Sequence, residues 1–277
     1  MPISVKEKYI AYINSYRKLV SSDSTSNFSV LVNLPKNNDF DRVVVSQLSI
    51  PKSYYLVQNG YNTFIINENG VDKTITINVG NYSKTTFLTE LKRAFTSSSS
   101  PALSWVYAIT FDTPTGKLNF TVSGNTSQPC IKTTTNLFEQ LGFNSNSSNF
   151  FVSNSLTSTN CIKLQLEDTL LILSDMSNAL SGVLQEVYCN NSDFSNITFN
   201  QYNAELYSKN FIRNTNNVFR FTLTDENFRP IDLNGLNMVM TLIFYKHNDA
   251  QQSIISDAPP TSLSNFIENN NKTELFS

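Results

Sequence analysis

The chain has 277 residues and a formal net charge of −2, so it lacks the strong basic field with which many proteins attract nucleic acid. No apolar run approaches the ~20 residues of a membrane-spanning helix, and the first residues lack the apolar segment of a signal peptide. Only 15% of the residues are charged, and abundant Asn, Ser, Phe and Tyr predict a mostly β fold with long polar loops.

Residues 1–27 are predicted to form a segment separate from the main domain. Apolar side chains recur there at helical spacing, and residues 21–26 have the composition of a flexible linker. These side chains are Val5, Tyr9, Tyr12, Ile13, Tyr16 and Leu19. Two interpretations stay open: the segment packs on its own domain, or it is an arm that reaches a neighbouring subunit. If it is an arm, deleting residues 1–22 should spare folding and harm incorporation into an assembly.

Two strands follow this segment, and a compact α+β block comes after them. Alternating apolar residues predict a strand at 28–34, which Pro35 ends. A valine-rich run predicts another strand at 42–50, which ends before Pro51. The block then spans residues 60–143 and combines two hairpins with two helices.

Within the block, local signals mark each element. Ser83 can cap a helix whose apolar stripe includes Phe87 and Leu91. Asn136 and Glu139 have the spacing of a capping box for a second, short helix. The predicted hairpins join residues 63–67 to 73–79 and residues 105–112 to 118–122, Gly142 ends the short helix, and residues 144–160 form a polar loop.

Strands resume after residue 160. They are predicted at residues 161–173, at 183–189, around Ile197 and Phe199, and at 204–212, 218–224 and 236–246. In the last two, apolar residues alternate with polar ones, and turn residues join the strands, as at the end of an antiparallel sandwich. With the two strands before the block, the total is eight, the number of strands in a jelly roll.

The predicted fold is mainly β: a single eight-stranded jelly-roll sandwich with an α+β insertion and extended terminal arms. Residues 1–27 are the N-terminal arm, and the jelly roll comprises residues 28–59 and 161–248. The inserted subdomain and its loop span residues 60–160. Residues 249–277 contain few apolar side chains and are predicted to be a C-terminal tail.

Residues that could support catalysis or bind a metal are sparse. The only histidine is His247, and neither a G-x-S-x-G nor a phosphate-binding glycine motif occurs. Cys130, Cys161 and Cys189 are too far apart in sequence to suggest a zinc site, and their odd number predicts buried thiols in a reducing compartment. The sequence therefore predicts no catalytic, cofactor-binding or metal-ligating residue, no cofactor and no enzyme activity.

Two other patterns carry weaker signals. The adjacent carboxylates Glu167–Asp168 and Asp225–Glu226 are predicted to lie in solvated turns, where a shallow calcium site stays open as an alternative. Residues 209–213, with Phe219 and Arg220 after them, interleave aromatic and basic side chains, as single-strand binders do. At a period of two, half of these aromatics belong to the core, so we expect no specific nucleic-acid binding.

Several segments, in order, resemble one known family. The first is Ile-Asn-Ser-Tyr-Arg at 13–17, followed by Ser-Thr-Ser-Asn-Phe at 24–28. The next are Ile-Asn-Val-Gly-Asn-Tyr-Ser at 77–83, before the Phe87–Leu91 helix, Phe-Asp-Thr-Pro-Thr-Gly-Lys-Leu-Asn-Phe at 111–120, and Leu-Gly-Phe at 141–143. The last runs from Leu-Thr-Asp at 223–225 through Pro-Ile-Asp-Leu-Asn-Gly at 230–235 to Leu242. The family comprises the minor capsid, or penton, proteins of virophages and polinton-like viruses. One difference is Met238, where a tryptophan is frequent in the family; a core methionine is a tolerable replacement.

The resemblance implies a structural virion protein. Members of this family are single jelly rolls that assemble as pentamers at icosahedral vertices. It implies a homopentameric penton subunit with major capsid protein neighbours, located at the capsid vertex of a DNA virus and assembled inside the host cell. The insertion could contact a host receptor or a glycan, and the alternative function is a glycan- or receptor-binding jelly-roll module of a virion.

Overall fold

The fold is described by a computed structural model for residues 5–20, 24–35, 39–166, 169–177, 182–192 and 195–247. The predicted tail at residues 249–277 lies outside these ranges, as do Glu167 and Asp168. The elements of the jelly roll are β1 (Val5–Asn14), a 3-10 helix (Ser15–Arg17), β2 (Asn27–Leu31) and β3 (Arg42–Pro51) before the insertion.

The insertion contributes β4 (Thr63–Glu68), β5 (Val71–Thr76), α1 (Lys84–Ser97), β6 (Ser99–Ser100), β7 (Val106–Asp112), β8 (Lys117–Ser123), β9 (Cys130–Thr133), α2 (Phe138–Leu141), β10 (Ser147–Phe150) and β11 (Ser155–Thr157). The jelly roll then continues with β12 (Thr169–Ser174), β13 (Val183–Tyr188), β14 (Asn196–Asn200), β15 (Lys209–Asn210), β16 (Val218–Asp225) and β17 (Val239–His247). The insertion therefore lies between β3 and β12.

Two antiparallel sheets make the sandwich. One sheet has the order β1–β17–β3–β14, with β15 also paired to β3, and the other has the order β13–β12–β16–β2. The eight main strands divide between the sheets, and in each sheet an early strand pairs with one of the last two: β1 with β17, and β2 with β16. This strand order is that of a jelly roll, so the predicted mainly-β jelly-roll fold class is confirmed.

The core between the two sheets follows from alternation along the strands. Phe219, Phe221 and Leu223 point inward from β16, while Arg220 between them is exposed. The rings of Phe28 and Phe221, opposite each other in register, stack with centroids 5.6 Å apart. Each fully buried aromatic side chain of this kind contributes about 2–3 kcal/mol relative to exposure.

The helical prediction for the first residues is wrong. Val5–Asn14 is strand β1, paired along its length with β17. Ala11 and Ile13 are buried and Tyr9 packs against the core, whereas Ile10 and Tyr12 point outward, so the burial has the period of a strand. Of the two interpretations of this segment, packing on its own domain is therefore the one that the structure shows, and the described part of the predicted N-terminal arm is integral to the sandwich.

The predicted eight strands need a second correction. Residues 204–212 contribute only the short β15, because residues 202–207 form turns, and of residues 161–173 only Thr169 onward is in a described strand. The count of eight is right because β1 takes the place of the strand predicted at 204–212. A β-bulge between Thr241 and Leu242 gives β3 an extra residue, Ser46, opposite β17.

The insertion has its own apolar core, to which β4, β5, β7, β8, β9, β11 and the two helices contribute. Both predicted hairpins and the first helix are confirmed: Ser83 caps α1, and Phe87 and Leu91 are buried. Apolar contacts of this core extend from Leu56 to Leu164. The predicted boundaries at residues 60 and 160 stay a prediction.

Two local predictions in the insertion are wrong. The capping box of Asn136 and Glu139 does not form, because α2 begins after Leu137, a buried residue in a left-handed conformation (φ 53°). The end of α2 is as predicted, since a Cβ on Gly142 (φ 72°) would lie 2.4 Å from the carbonyl oxygen of Asn160. The predicted polar loop at 144–160 contains two short edge strands, β10 and β11.

Candidate functional site

The structure does not gather the residues that the sequence singled out. His247 ends β17, where its backbone pairs with Val5, and its side chain lies outside the described part of the structure. Cys130 and Cys189 are buried as predicted, whereas Cys161 is exposed in a segment without helix or strand. Among the described residues, no group of three His, Cys, Asp or Glu side chains converges as metal ligands do.

Of the adjacent carboxylates, Asp225 differs from the prediction of a solvated turn, whereas Glu226 lies in an exposed turn as predicted. Asp225 is buried, and its Oδ2 lies 2.5 Å from Nε of Arg229. Its Oδ1 accepts from the backbone amides of Asn227 (2.9 Å) and Arg229 (2.8 Å). Glu226, the next residue, lies in the turn and its side chain is half exposed. Asp225 therefore organises the turn after β16.

This turn also holds the insertion against the jelly roll. Arg229 lies 3.5 Å from the carboxylate of Glu139 on α2, and Lys163 lies 3.4 Å from the same carboxylate. Glu226 adds a longer contact to Lys163 at 3.7 Å. These acidic and basic groups compensate one another, so the cluster is an ion-pair network between two parts of the fold.

A second buried ion pair lies inside the insertion, where Nζ of Lys73 is 2.5 Å from Glu68. Burial acts to raise the pKa of Glu68, but hydrogen bonds from Lys73, the Ser104 amide and the Tyr107 hydroxyl outweigh it and lower that pKa below its usual value. Burial and the Glu68 hydrogen bond raise the pKa of Tyr107. The hydrogen bonds of Lys73 to Ala102 and Ser104 and those that Glu68 accepts from Ser104 and Tyr107 tie β4 and β5 to the segment that leads into β7.

The aromatic residues near 209–213 do not form a stacking platform. Phe211 is half-buried, and its ring packs 5.6 Å from Phe219 and 5.0 Å from Phe244. Burial lowers the pKa of Lys209, whose ammonium donates to the carbonyl oxygen of Val183 at 2.6 Å. These rings belong to the core, and bases could not stack on them.

The outer face of the sheet that contains β1 carries an exposed surface of mixed polar and aromatic character. An open concavity of about 530 Å³ crosses β1, β17, β3 and β14 there. One row across it joins Tyr12, Thr241, Gln47 and Asn200 in register, and Arg17 is the charged residue among those that line it in the described structure. The row is polar on β3 and β14 and aromatic on β1.

The edge strand β1 borders this concavity. Ile10 (43% exposed) and Tyr12 (76%) project from its outer face, and Tyr16 (78%) follows in the 3-10 helix. Among the described strands, β1 has a partner on one side only, which is β17. A ten-residue edge strand with exposed apolar side chains is a surface prepared for pairing or packing with another chain. We call Ile10, Tyr12, Tyr16 and Arg17 the β1 patch.

The loop between β14 and β15 makes a second exposed apolar surface. Ala204 packs on Val44, Ile243 and Tyr245, which anchors the loop on the sheet. Its neighbours Tyr202 (92% exposed), Leu206 and Tyr207 point into solvent, together with the carboxylate of Glu205. Burial, with a smaller effect of that carboxylate, raises the pKa of Tyr245 to about 12. We call Tyr202, Glu205, Leu206 and Tyr207 the loop patch.

One end of the insertion presents a third surface. Oδ1 of Asn154 accepts from the side-chain amides of Asn125 and Gln128, each at 2.8 Å, and the backbone amide of Asn154 donates to Gln128. Phe150 and Val152 are exposed close by in the chain. Amide groups beside an exposed aromatic ring can hydrogen-bond and stack on a polar ligand.

Sequence reasoning missed the β1 patch and the loop patch. The alternation of Ile10 and Tyr12 with Ala11 and Ile13 is the signal that could have found the first, but Tyr9, Tyr12, Ile13 and Tyr16 fit a helical period as well. In the loop patch, Glu205, Leu206 and Tyr207 fall within the strand predicted at 204–212, and Tyr202 precedes it. In the described part of the chain, the helices are too short and too polar to cross a lipid bilayer.

The structure of this chain is similar to solved structures. No protein-family model and no curated protein matches the sequence. The selenomethionine-labelled penton protein of mavirus is similar in structure over 86% of this chain and 99% of that chain, with 12% sequence identity and a TM-score of 0.37. Because this similarity is low, we argue the function from the residues of this chain.

Proposed function

We propose that this chain is a structural virion protein: a penton, or minor capsid, subunit that forms homopentamers at the five-fold vertices of an icosahedral DNA virus capsid. The observation that carries the proposal is the complete jelly-roll strand order, interrupted between β3 and β12 by an insertion with its own core. The family that the sequence resembles consists of single jelly rolls assembled in this way. A jelly roll alone does not fix a function, so the positions of the resembling segments matter as well.

The segments that resemble the family lie mostly where one element of the fold ends and the next begins. Residues 13–17 end β1 and form the 3-10 helix, and residues 77–83 lead from β5 into the cap of α1. Residues 111–120 turn β7 into β8, and residues 141–143 end α2 at its glycine. The closing segment comprises β16, its Asp225-centred turn and β17. Each local resemblance thus coincides with an element that the fold requires at that point.

The remaining parts of the proposal concern location and neighbours. The subunit is proposed to reside at the capsid vertex after assembly inside the host cell and to contact major capsid proteins. The tail at residues 249–277, which lies outside the described residues, is proposed to make some of these contacts. Neither a cofactor nor an enzyme activity belongs to the proposed role, whose mechanism is self-assembly.

Two measurements test the proposal: the mass of the assembly in solution and the position of the protein in virus particles. Light scattering on the purified full chain should give a mass of about five times the 31.2 kDa subunit, and particle imaging should place the protein at the five-fold vertices. A protein that stays monomeric at every concentration, or that occupies any other position in particles, would contradict it.

A second candidate function is a glycan- or receptor-binding module of a virion. It is favoured by two features of the insertion: the exposed ring of Phe150, four residues before Asn154 in the chain, and the exposed amide network of Asn125, Gln128 and Asn154. Retention on a glycan array by the purified chain, lost on Phe150→Ala, would support this function. Retention by a chain that never self-associates would favour it over the penton role.

A further inference from the structure

The sequence contains three Asn-Gly steps, and the structure holds them in different turns. They are Asn59–Gly60, between β3 and β4, Asn69–Gly70, in the β4–β5 hairpin, and Asn234–Gly235, between β16 and β17. In such a step the backbone nitrogen of the glycine can attack Cγ of the asparagine, because glycine has no side chain to hinder the approach. All three asparagines are exposed, so access to water does not distinguish them. We propose that Asn59 is the site at which the folded chain deamidates.

The reaction needs only water as a co-reactant. The Gly60 nitrogen loses its proton and bonds to Cγ of Asn59, and the side-chain nitrogen leaves as ammonia, which closes a five-membered succinimide ring. Water then opens the ring at one of its two carbonyl carbons. Opening at Cγ leaves aspartate, and opening at the main-chain carbonyl carbon leaves isoaspartate, whose main chain is one methylene longer. Both products replace a neutral amide by a carboxylate.

Two of the three steps are held in a conformation that opposes ring closure. Asn69 and Asn234 each have a φ of 51°, in the left-handed region, where ψ is about +30 to +60°. This ψ directs the nitrogen of the following glycine away from the asparagine Cβ, so the turn has to open before the ring can close. Hydrogen bonds also hold both side chains. Asn69 accepts from the hydroxyl of Ser127 at 2.7 Å, and Asn234 donates to the carbonyl oxygen of Ser53.

Asn59 lies in a different kind of turn. Its φ is negative, Gly60 has a φ of 82°, and the amide of Tyr61 donates to the carbonyl oxygen of Gln58 at 3.1 Å. These are the features of a type II turn, in which ψ of the residue before the glycine is about +120°. The Gly60 nitrogen is therefore closer to Cβ of Asn59 than the corresponding nitrogens are in the two left-handed turns. Among the described residues, the Asn59 side chain has no hydrogen-bond partner, so it can rotate toward that nitrogen.

The turn at Asn59 contacts both parts of the fold. Gln58 accepts a hydrogen bond from the backbone amide of Asp232, in the link between β16 and β17, at 2.9 Å. The carbonyl oxygen of Gly60 accepts from the side-chain amide of Asn136, which precedes α2 of the insertion, at 3.5 Å. Deamidation at this step therefore places a carboxylate, and in isoaspartate a longer main chain, between a contact to the jelly roll and a contact to the insertion.

The test follows all three steps in one sample. The purified full chain is kept in mildly alkaline buffer, and mass spectrometry with fragmentation of proteolytic peptides locates each conversion to aspartate or isoaspartate. Asn59 should react at least about tenfold faster than Asn69 and Asn234, because those two must first leave their turns and lose hydrogen bonds. The same chain in denaturing urea is the matched control. There the three turns are unfolded, so the three steps should react at similar rates.

Asn59→Gln should remove the early change of charge from the folded chain, because glutamine would have to close a less favourable six-membered ring. Similar rates at the three steps in the folded chain, or an earlier reaction at Asn69 or Asn234, would overturn the assignment. An Asn59 that stays intact in the folded chain while it reacts in urea would overturn it as well. The same preference for Asn59 in urea would show that the turns do not select the site.

Discussion

Glu68 accepts a hydrogen bond from the backbone amide of Ser104 at 2.9 Å, which fixes the chain immediately before Trp105. Trp105 is the single tryptophan of the chain and is buried in the core of the insertion. Its fluorescence therefore reports on the unfolding of the insertion, and it does so beside the buried pair of Glu68 and Lys73. This arrangement makes the energetics of that pair directly measurable.

Replacing Lys73 by methionine should strongly destabilise the insertion. The ammonium also donates to the carbonyl oxygen of Ala102 and the hydroxyl of Ser104, each at 2.7 Å, and its removal leaves Glu68 charged and buried. Breaking a buried pair in this way costs about 3–5 kcal/mol. Urea unfolding followed by Trp105 fluorescence should show the midpoint falling accordingly.

Lys132→Met provides the matched control, because Lys132 makes a pair of similar length (2.6 Å) with Asp72 on the exposed side of the same sheet. Its unfolding midpoint should stay close to that of the wild type, since water screens the pair. Equal shifts in both variants would show that burial does not govern the Lys73 interaction.

The same pair predicts a dependence of stability on pH. The pKa of Glu68 is lowered in the folded chain from a reference of 4.5, so the folded state binds its proton less readily than the unfolded state. The stability that Glu68 contributes is therefore complete above about pH 4.5 and is lost as the pH falls through the lower, folded-state pKa. Acid titration followed by Trp105 fluorescence should show a transition in that acidic range.

Glu68→Gln should weaken this acid dependence, at the cost of lower stability at neutral pH. Some dependence should remain, because a hydrogen bond from Arg93 also lowers the pKa of Glu90 in the same part of the chain. An unchanged acid transition in Glu68→Gln would show that Glu68 does not titrate with the folding of the insertion.

Asp225→Ala should destabilise the turn between β16 and β17. The carboxylate accepts two backbone amides and an Arg229 nitrogen, and its loss would leave these donors without their acceptor in a buried site. We expect a cost of about 3 kcal/mol in chemical unfolding followed by circular dichroism. Glu226→Ala changes the adjacent, half-exposed carboxylate and should have little effect. A larger loss from Glu226→Ala than from Asp225→Ala would contradict this account of the turn.

The sequence predicted those parts of the fold in which local signals and burial agree. Ser83 is a strong helix cap, and Phe87 and Leu91 are spaced four residues apart, which fits a helix and not a strand. The position of α1 is therefore as predicted. Phe219, Phe221 and Leu223 alternate without ambiguity, and β16 follows them. In both places the tertiary contacts reinforce the local preference.

Other parts could not be predicted because distant contacts decide them. The carboxylate of Asp225 is buried by Arg229 and by the insertion, and neither is visible in the adjacent Asp-Glu pair. Ala204 gives no strand or loop signal of its own, and only its contact with Ile243 and Tyr245 shows that the loop patch is held on the sheet. The exposure of the β1 patch depends on the sheet order, which a single sequence does not encode in local patterns.

The strand assignment of β1 reverses an expectation from the sequence. Deleting residues 1–22 should now abolish soluble, folded protein, because it removes the partner of β17 and the buried Ala11 and Ile13. The loss would expose a central strand of the sheet as an unpaired edge. Solubility and circular dichroism of the deletion variant check this, and a folded, soluble product would show that β1 is dispensable for the sandwich.

Point substitutions in β1 test the same assignment without removing the strand. Ile13→Ala empties a buried site and should lower the free energy of unfolding by about 2–5 kcal/mol. Tyr12→Ser changes the neighbouring side chain on the opposite face, which is exposed, and should leave the stability of the subunit nearly unchanged. Denaturant unfolding below the concentration at which subunits associate separates the two effects. Similar losses for the two neighbours would contradict the alternating burial that makes Val5–Asn14 the first strand of the jelly roll.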